Sequence, residues 1–200
     1  MLETYIEEHK ESERAIEHAV FENEIITGLD MSGLEFVAVQ FKKCRFIKCS
    51  LTKCGFYKVQ FQGCDISNSK FHDTYWKDSE ITECKGEGAR FCNSRIKESR
   101  LLDSVFHYAN FANTVWEKAS ITGSRFHDAI ITETKLKSTT FTETDFQGVD
   151  FYKTLMRGMD LSSCVLGRNT FSESLEELKG AKIDSLQAIS ILHLLEIDVV

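Results

Sequence analysis

Proline is absent from this chain of 200 residues, although proline favours the irregular turns that join ordinary helices and strands. Long apolar runs are absent too, since no stretch approaches the ~18 residues that a transmembrane helix needs. The first residues are acidic and polar, without the basic start and apolar stretch of a secretory signal. We therefore expect one uninterrupted regular structure in the cytoplasm, without membrane contact.

The chain also lacks excess positive charge and paired cysteines. A formal net charge of −7 argues against a bulk basic patch for direct binding of nucleic acid. Seven cysteines without a secretory signal argue against a disulfide framework. Common enzyme motifs are missing as well, including a Walker loop, H-E-x-x-H and G-x-S-x-G. We expect neither an enzyme nor a protein that binds a cofactor or a metal.

The strongest regularity in the sequence is a period of five. Large apolar residues occupy every fifth position from Phe36 to Phe171 at 27 of 28 positions, and Gly86 is the exception. All 15 phenylalanines and both tryptophans share this register, which a weaker series extends back to Ile16. Because scattered aromatic residues would spread over all phases of the period, chance does not explain this register.

A second register lies two residues before the first. Between Leu34 and Asn169, 25 of its 28 positions hold alanine, serine, threonine, cysteine or valine. Every cysteine except Cys92 occupies it. Buried cysteine behaves as a small hydrophobic residue, so we interpret these thiols as core residues rather than metal ligands.

A period of five matches neither a helix nor a simple strand, but it fits a chain that turns a corner every five residues. Four sides make a coil of about twenty residues, and coils stacked at ~4.8 Å form a right-handed quadrilateral parallel β-helix. Large and small residues both point inward and fill a narrow tube without a concave pocket. We predict an all-β solenoid of about eight coils, roughly 38 Å long, over residues 14–173. A polar segment (1–13) precedes it and a capping segment (174–200) follows it.

The order small residue, polar residue, then leucine or phenylalanine is similar to the signature of pentapeptide-repeat proteins. Within that family the chain resembles the Qnr and MfpA group, which protects DNA gyrase. Four stretches carry the resemblance: SGLEFVAVQF (32–41), CKGEGARF (84–91), YANFANTVWEK (108–118) and LKGAKIDSLQAISILHLLEIDVV (178–200). The last resembles the tail of that group, in which a strand-like segment precedes a short dimerising helix.

The resemblance implies a bacterial, cytoplasmic homodimer that imitates duplex DNA in size, shape and negative surface. Its implied partners are type II topoisomerases, namely DNA gyrase and/or topoisomerase IV, which some members protect from fluoroquinolones. Many Qnr proteins carry protruding loops that aid protection, whereas the register here is unbroken. This difference argues against strong drug protection and leaves topoisomerase binding as the implied function.

Charge is unevenly distributed among the four predicted sides. Residues 1–13 carry −4 and residues 174–200 carry −3, so residues 14–173 sum to zero. The side that contains Phe36 carries about +4, and the next side, which contains Phe41, carries −3. The most acidic side and its corner present the carboxylates that we predict to bind the partner: Glu80, Glu83, Asp103, Glu143, Asp145 and Asp160.

A short amphipathic helix is predicted near the C-terminus, with Asp184 or Ser185 as its N-cap. So short a helix needs a partner surface, and the last coil would otherwise leave its backbone edge open. We therefore predict a twofold dimer joined tail to tail. Its apolar contact residues are Leu186, Ile189, Ile191, Leu192, Leu194 and Leu195.

The residues alone are also compatible with other interpretations. A pentapeptide-repeat scaffold that binds an unrelated protein would show the same register, although it would not need a dimerising helix. The acidic side also fits a plain solvated surface. His107 and His127 are one coil apart and would stack with Glu87, which would allow a surface metal contact. Exposed ligands without supporting hydrogen bonds seldom form such a site.

Overall fold

Short strands repeated along the chain form the framework. The computed structural model describes residues 2–6, 15–197 and 199, so most of the predicted polar segment (1–13) lies outside the described residues. Residues 2–6 are helical, and a 3-10 turn (Glu176–Leu178) and a C-terminal helix (Ser185–Leu194) follow the strands. The described strands are β1 (Ile16–Glu17), β2 (Val20–Glu22), β3 (Ile25–Thr27), β4 (Glu35–Val37), β5 (Gln40–Lys42), β6 (Arg45–Ile47), β7 (Gly55–Tyr57), β8 (Gln60–Gln62), β9 (Tyr75–Lys77), β10 (Glu80–Thr82), β11 (Arg95–Lys97), β12 (Arg100–Leu102), β13 (Val115–Glu117), β14 (Ser120–Thr122), β15 (Lys135–Lys137) and β16 (Thr140–Thr142).

Each strand pairs in parallel with the strand one coil later. The pairing of β4 with β7 places Phe36 beside Phe56, and that of β10 with β12 places Ile81 beside Leu101. Two seven-stranded sheets result, sheet A from β1 to β15 and sheet B from β2 to β16. The other two sides are held largely by single bridges at the same twenty-residue step. The predicted parallel β-helix is confirmed.

The corners between sides are formed by residues in the left-handed region of backbone conformation. A positive φ recurs at every fifth residue from His18 to Gly158, as at Lys43 (52°), Lys48 (53°) and Lys53 (60°). This conformation costs a residue with a Cβ roughly 1–2 kcal/mol. Most of the corner N–H groups bond to the next coil, as Lys43 does to the carbonyl of Gln62 at 2.8 Å. These bonds offset the cost at the corners that make them.

Large residues of the first register fill the interior as stacked columns. Phe71, Phe91 and Phe111 stack with ring centroids 4.8 and 4.7 Å apart and planes within 6° of each other. From Ile16 to Leu166, every position of this register is buried except Leu136, which is partly exposed. Phe171, the last position, is also partly exposed. The inward orientation predicted from the period is therefore correct at all but these positions.

Gly86 interrupts the register because a neighbouring ring uses its space. A Cβ at this residue would lie 2.7 Å from Cδ1 of Phe106, one coil later, and 3.6 Å from Cγ1 of Ile66, one coil earlier. The first distance is too short for real atoms. The Phe106 ring thus occupies the volume that a large residue would need.

The small residues of the second register also make hydrogen bonds to the preceding coil. Ser94 Oγ donates to the carbonyl of Phe71 at 2.8 Å, and Cys44 Sγ donates to that of Phe21 at 3.3 Å. In both cases the acceptor lies 23 residues earlier. Hydroxyl and thiol side chains are therefore suited to this register by their donors as well as by their size.

The described N-terminal residues cover the first coil. Leu2 and Ile6 are buried in the same cluster as the interior residues, and the Tyr5 ring meets the Phe21 ring edge-on at 5.6 Å. The N–H of Leu2 donates to Oε2 of Glu24 at 2.8 Å. The sequence predicted only a polar segment here, because two apolar residues four positions apart are too short a pattern to indicate a cap.

Stacking is interrupted on two sides near the C-terminal end. Sheets A and B end at β15 and β16, and no backbone hydrogen bond joins 135–142 to 155–162 in the described part of the chain. A cleft of about 580 Å³ opens between them, with Leu136, Phe141 and Met159 in its lining. The expectation of a tube without a concave pocket is therefore wrong at this place. We assign this opening to Met159, because a bulky methionine there occupies a position that small residues hold in the preceding coils.

Replacing Phe111 by alanine should lower the free energy of unfolding by about 3–5 kcal/mol, because its stacked neighbours cannot close the gap. Tyr152 provides a control, since its side chain is 42% exposed and its replacement by alanine should cost under about 0.5 kcal/mol. Urea denaturation followed by circular dichroism measures both losses. Equal losses would contradict the stacked core.

Candidate functional site

Three of the predicted carboxylates form one line along the solenoid. Glu83, Asp103 and Glu143 occupy the corner that follows sheet B, and all are exposed with φ between 48° and 55°. Gly123 holds the intervening position. A Cβ there would lie 2.2 Å from Oδ1 of Asp103, so the glycine leaves room for that carboxylate. We call Glu83, Asp103 and Glu143 the acidic corner.

The next predicted carboxylate, Glu80, lies on the face of sheet B beside the acidic corner. It begins β10 and forms an ion pair with Arg100, which begins β12 on the next coil. Its Oε1 also accepts a hydrogen bond from Oγ1 of Thr82 at 2.8 Å. The Arg100 guanidinium therefore offsets the charge of Glu80.

The remaining predicted carboxylates, Asp145 and Asp160, are also engaged locally. Asp145 lies two residues beyond the corner, and its Oδ2 is 2.7 Å from Nε2 of His127. Asp160 lies one coil after Thr140, the first residue of β16. Its carboxylate accepts bonds from the hydroxyl and N–H of Ser162 at 2.6 and 3.1 Å. These two bonds hold the pKa of the Asp160 carboxyl below its usual value. The acidic corner is thus the part of the predicted set whose side chains form no ion pair or hydrogen bond with any described residue.

A histidine pair lies near Asp145, where the sequence allowed a metal contact. The His107 and His127 rings meet edge-on with centroids 4.5 Å apart. Burial and the neighbouring His127 lower the pKa of His107. Across the residues that the structure describes, no three histidine, cysteine or carboxylate side chains are arranged to hold a metal ion. His127 instead contacts Asp145.

The C-terminal helix closes the last coil. Asp184 is its N-cap and forms a capping box with Gln187, in agreement with one of the two predicted caps. The buried Gln187 donates from Nε2 to the carbonyls of Leu161 and Cys164 at 2.8 and 2.6 Å. These bonds replace those that a further coil would make.

No helix within the described ranges is long and apolar enough to cross a membrane.

The six predicted dimer residues differ in exposure. Leu186 is 74% exposed, and Leu194 and Leu195 are exposed too, whereas Ile189, Ile191 and Leu192 are partly buried. Leu195 follows the helix as its C-cap, so the helical stripe ends one residue earlier than predicted. The apolar surface that a second chain could cover therefore lies at the two ends of the helix.

A buried carboxylate holds the segment that leads to this helix. Glu177 is 1% exposed, and its Oε1 accepts the N–H of Lys153 at 2.8 Å while its Oε2 accepts the hydroxyl of Ser172 at 2.8 Å. Burial alone would raise the pKa of this carboxyl, but the hydrogen bonds outweigh it and bring the pKa below its usual value. Sequence reasoning missed this residue because the pattern does not distinguish it from its exposed neighbour Glu176.

Two family models match the solenoid just described. One, a pentapeptide repeat region, matches residues 16–91 and 54–125. This chain belongs to the pentapeptide-repeat family. The other model, pentapeptide repeats in 8 copies, matches residues 119–158 and 129–168. A comparison with curated protein sequences finds no match.

Solved structures share this pentapeptide-repeat fold at low sequence identity. Two trypsin-treated variants of QnrB1, a plasmid-mediated fluoroquinolone resistance protein, give TM-scores of 0.54 and 0.51 at 20% and 18% identity. The matches cover 93% and 94% of this chain and 97% and 100% of those chains. HetL, a pentapeptide repeat protein involved in heterocyst differentiation regulation in the cyanobacterium Nostoc sp., gives 0.44 at 13% identity, over 88% of this chain and 90% of HetL. These matches concern the fold.

Replacing Glu177 by glutamine should destabilise this pentapeptide-repeat protein by about 1–3 kcal/mol near neutral pH, because buried donors lose an acceptor. A carboxyl whose pKa is lowered by folding stabilises the fold above its ordinary pKa of 4.5. That contribution is lost as the pH falls through the lower pKa of the folded state. The stability difference between native protein and variant should therefore be full above about pH 5 and shrink at more acidic pH.

Glu176 supplies the matched control for this measurement. It is exposed and pairs with Lys179 on the surface, so its replacement by glutamine should cost under about 0.5 kcal/mol. Urea denaturation at a series of pH values gives both profiles. A loss for Glu177→Gln that stays constant from about pH 7 to about pH 3 would contradict the lowered pKa.

Proposed function

We propose that this protein is a DNA mimic that binds a bacterial type II topoisomerase, DNA gyrase and/or topoisomerase IV, through its acidic corner. One observation carries the proposal: Glu83, Asp103 and Glu143 repeat along one corner at whole multiples of the coil. With coils ~4.8 Å apart, these carboxylates are spaced by roughly 5 and 10 Å along the axis. The likeness in fold to QnrB1, which is described as a fluoroquinolone resistance protein, supports the proposal.

Shape must contribute more than total charge to such mimicry. Duplex DNA presents a phosphate every ~3.4 Å on each strand, so three carboxylates reproduce only part of one strand. The repeat as a whole is neutral, and Glu80 is already paired with Arg100. The acidic corner would therefore meet a few basic side chains of the enzyme while the straight solenoid occupies its DNA-binding groove. Because exposed charges are screened beyond ~8 Å at physiological ionic strength, binding weakens as salt rises.

We further propose that two copies join at their C-terminal ends. Leu186, Leu194 and Leu195 expose apolar side chains beyond the last coil, where Gln187 already satisfies the open backbone. A twofold contact through these leucines removes that surface from water and doubles the length of the rod. The acidic corners of both copies then belong to one elongated particle.

Converting Glu83, Asp103 and Glu143 to lysine should weaken topoisomerase binding at least tenfold, because three attractive contacts become repulsive. The fold should survive, since Lys43 already occupies the same corner line with a φ of 52°. The measurement is gyrase supercoiling, with and without ciprofloxacin, over a titration of the protein. Surface plasmon resonance against gyrase and topoisomerase IV gives the affinities.

A second triple variant controls for charge and backbone conformation. Asp73, Asp128 and Glu133 lie at left-handed positions on other corners, so their conversion to lysine changes the net charge equally. This control should bind within about twofold of the native protein. Equal weakening by both variants would refute the acidic corner as the contact. A protein that neither inhibits gyrase nor rescues it from the drug at any concentration would favour a scaffold for an unrelated partner.

Replacing Leu186 and Leu195 by glutamate should convert a dimer into a monomer, because two charges would be buried at the twofold contact. The variant keeps Gln187 and therefore the seal of the last coil. Light scattering at micromolar concentration measures the mass, and circular dichroism verifies the fold. A native protein of monomer mass, or a dimer that survives both substitutions, would disprove this contact.

A further inference from the structure

The cleft near the C-terminal end exposes two backbone edges that pair everywhere else along sheets A and B. In the preceding coil, the N–H of Lys118 donates to the carbonyl of Lys137 at 2.8 Å, and the N–H of Thr140 donates to the carbonyl of Ala119 at 3.0 Å. The equivalent bonds one coil later, from Ser138 and to Thr139, are absent among the described residues. The free edges of β15 and β16 therefore face the cleft.

The residue at position 159 distinguishes residues 155–162 from the coils before them. The small-residue register places a donor at Thr139, whose Oγ1 bonds to the carbonyl of Trp116 at 3.2 Å. Met159, one coil later, has no such donor and is bulkier. On its other side the segment pairs with the C-terminal tail, through Met156 N–H to the carbonyl of Glu177 at 2.8 Å and an equal bond from Leu161 to Lys182. These bonds use the side of the segment that faces away from β15 and β16, so residues 155–162 are bonded to the segment that follows them but not to the coil before them.

The lining of the cleft combines three kinds of contact. Leu136 and Met159 supply apolar surface, and the strand edges supply a row of backbone donors and acceptors. The carboxylate of Asp160 also lines the cleft, where it accepts bonds from Ser162. Arg157 also lines it, is exposed and forms no ion pair with a described residue. Lys137 precedes Arg157 by one coil on the same line and is equally unpaired. One end of the cleft is therefore cationic.

We propose that this cleft binds an extended peptide segment that carries a carboxylate. An extended backbone matches the N–H and C=O groups from the Ser138 corner through β16, and its apolar side chains cover the partly exposed Leu136 and Met159. The volume of about 580 Å³ accommodates a few residues of chain. The carboxylate is recognised by Arg157, whose planar guanidinium offers paired donors. This is a peptide site separate from the acidic corner and from the leucines of the C-terminal helix.

Amide hydrogen exchange read by NMR tests the proposal on the full chain. The probe is a synthetic peptide that copies residues 140–145, acetylated and amidated, because this sequence includes that of β16 and carries two carboxylates, Glu143 and Asp145. In the free protein the amides of Ser138 and Phe141 should exchange at least tenfold faster than those of Lys118 and Ile121, which pair with the next coil. Addition of the peptide should slow Ser138 and Phe141 without changing Lys118.

Variants and a second peptide identify the contacts. Arg157→Gln, or a peptide with amides in place of its carboxylates, should weaken binding about three- to tenfold. Met159→Thr restores the small residue and its donor, so it should close the cleft, protect the two amides without peptide and abolish binding. Amides that are already protected in the native protein, or that the peptide leaves unprotected, would overturn the proposal. If Met159→Thr does not fold, the Arg157→Gln variant and the amide peptide test the proposal without it. Unchanged binding in both would then overturn the proposed peptide site.

Discussion

The parallel pairing of each coil with the coil twenty residues later determines both the interior and the outer surface of the solenoid. It places residue n beside residue n+20, so side chains form lines along the axis rather than patches set by loops. Inside, this alignment stacks Phe91 on Phe111. Outside, it brings Asp103 into line with Glu83 and Glu143. The core and the candidate binding surface are therefore two consequences of one register.

That register also explains how much of the structure the sequence could predict. The period of five predicted which residues are buried, because every phenylalanine and tryptophan shares a phase that only an inward position explains. It predicted the line of Glu83, Asp103 and Glu143 for the same reason. It could not predict that Arg100 pairs with Glu80 or that His127 contacts Asp145, because such pairs depend on side-chain orientation on the surface. The left-handed corners were missed as well, since lysine, aspartate and asparagine there resemble ordinary polar residues.

The ends of the solenoid were harder to predict because an end has no period. Each open coil leaves donors and acceptors that need partners, and the chain satisfies them with residues that appear once. Asn169 occupies a small-residue position, and its Nδ2 donates to the carbonyl of Phe146, the bond that a hydroxyl makes elsewhere. Gln187 does the same for Leu161 from the C-terminal helix, and Glu177 accepts the N–H of Lys153. Met159 is one of three residues in the second register that are not small. The sequence alone does not reveal whether a coil accommodates such a residue or loses its pairing with the neighbouring coil.

The neutrality of the repeat does not weaken the case for mimicry of DNA, because the register makes charge local. A partner that approaches one corner meets side chains within a Debye length of about 8 Å, and charges on the far side of the rod are largely screened. Sheet A carries the excess of cations while the corner after sheet B carries unpaired carboxylates, so the sum of zero conceals two surfaces of opposite sign. The quantity that matters for recognition is the sequence of charges along one line. In this chain that line runs Asn23, Lys43, Gly63, Glu83, Asp103, Gly123, Glu143, so its negative part begins only after the first three coils. A topoisomerase that reads this corner would therefore contact the solenoid beyond its first three coils, on the side of the molecule that a tail-to-tail dimer places nearer the centre of the particle.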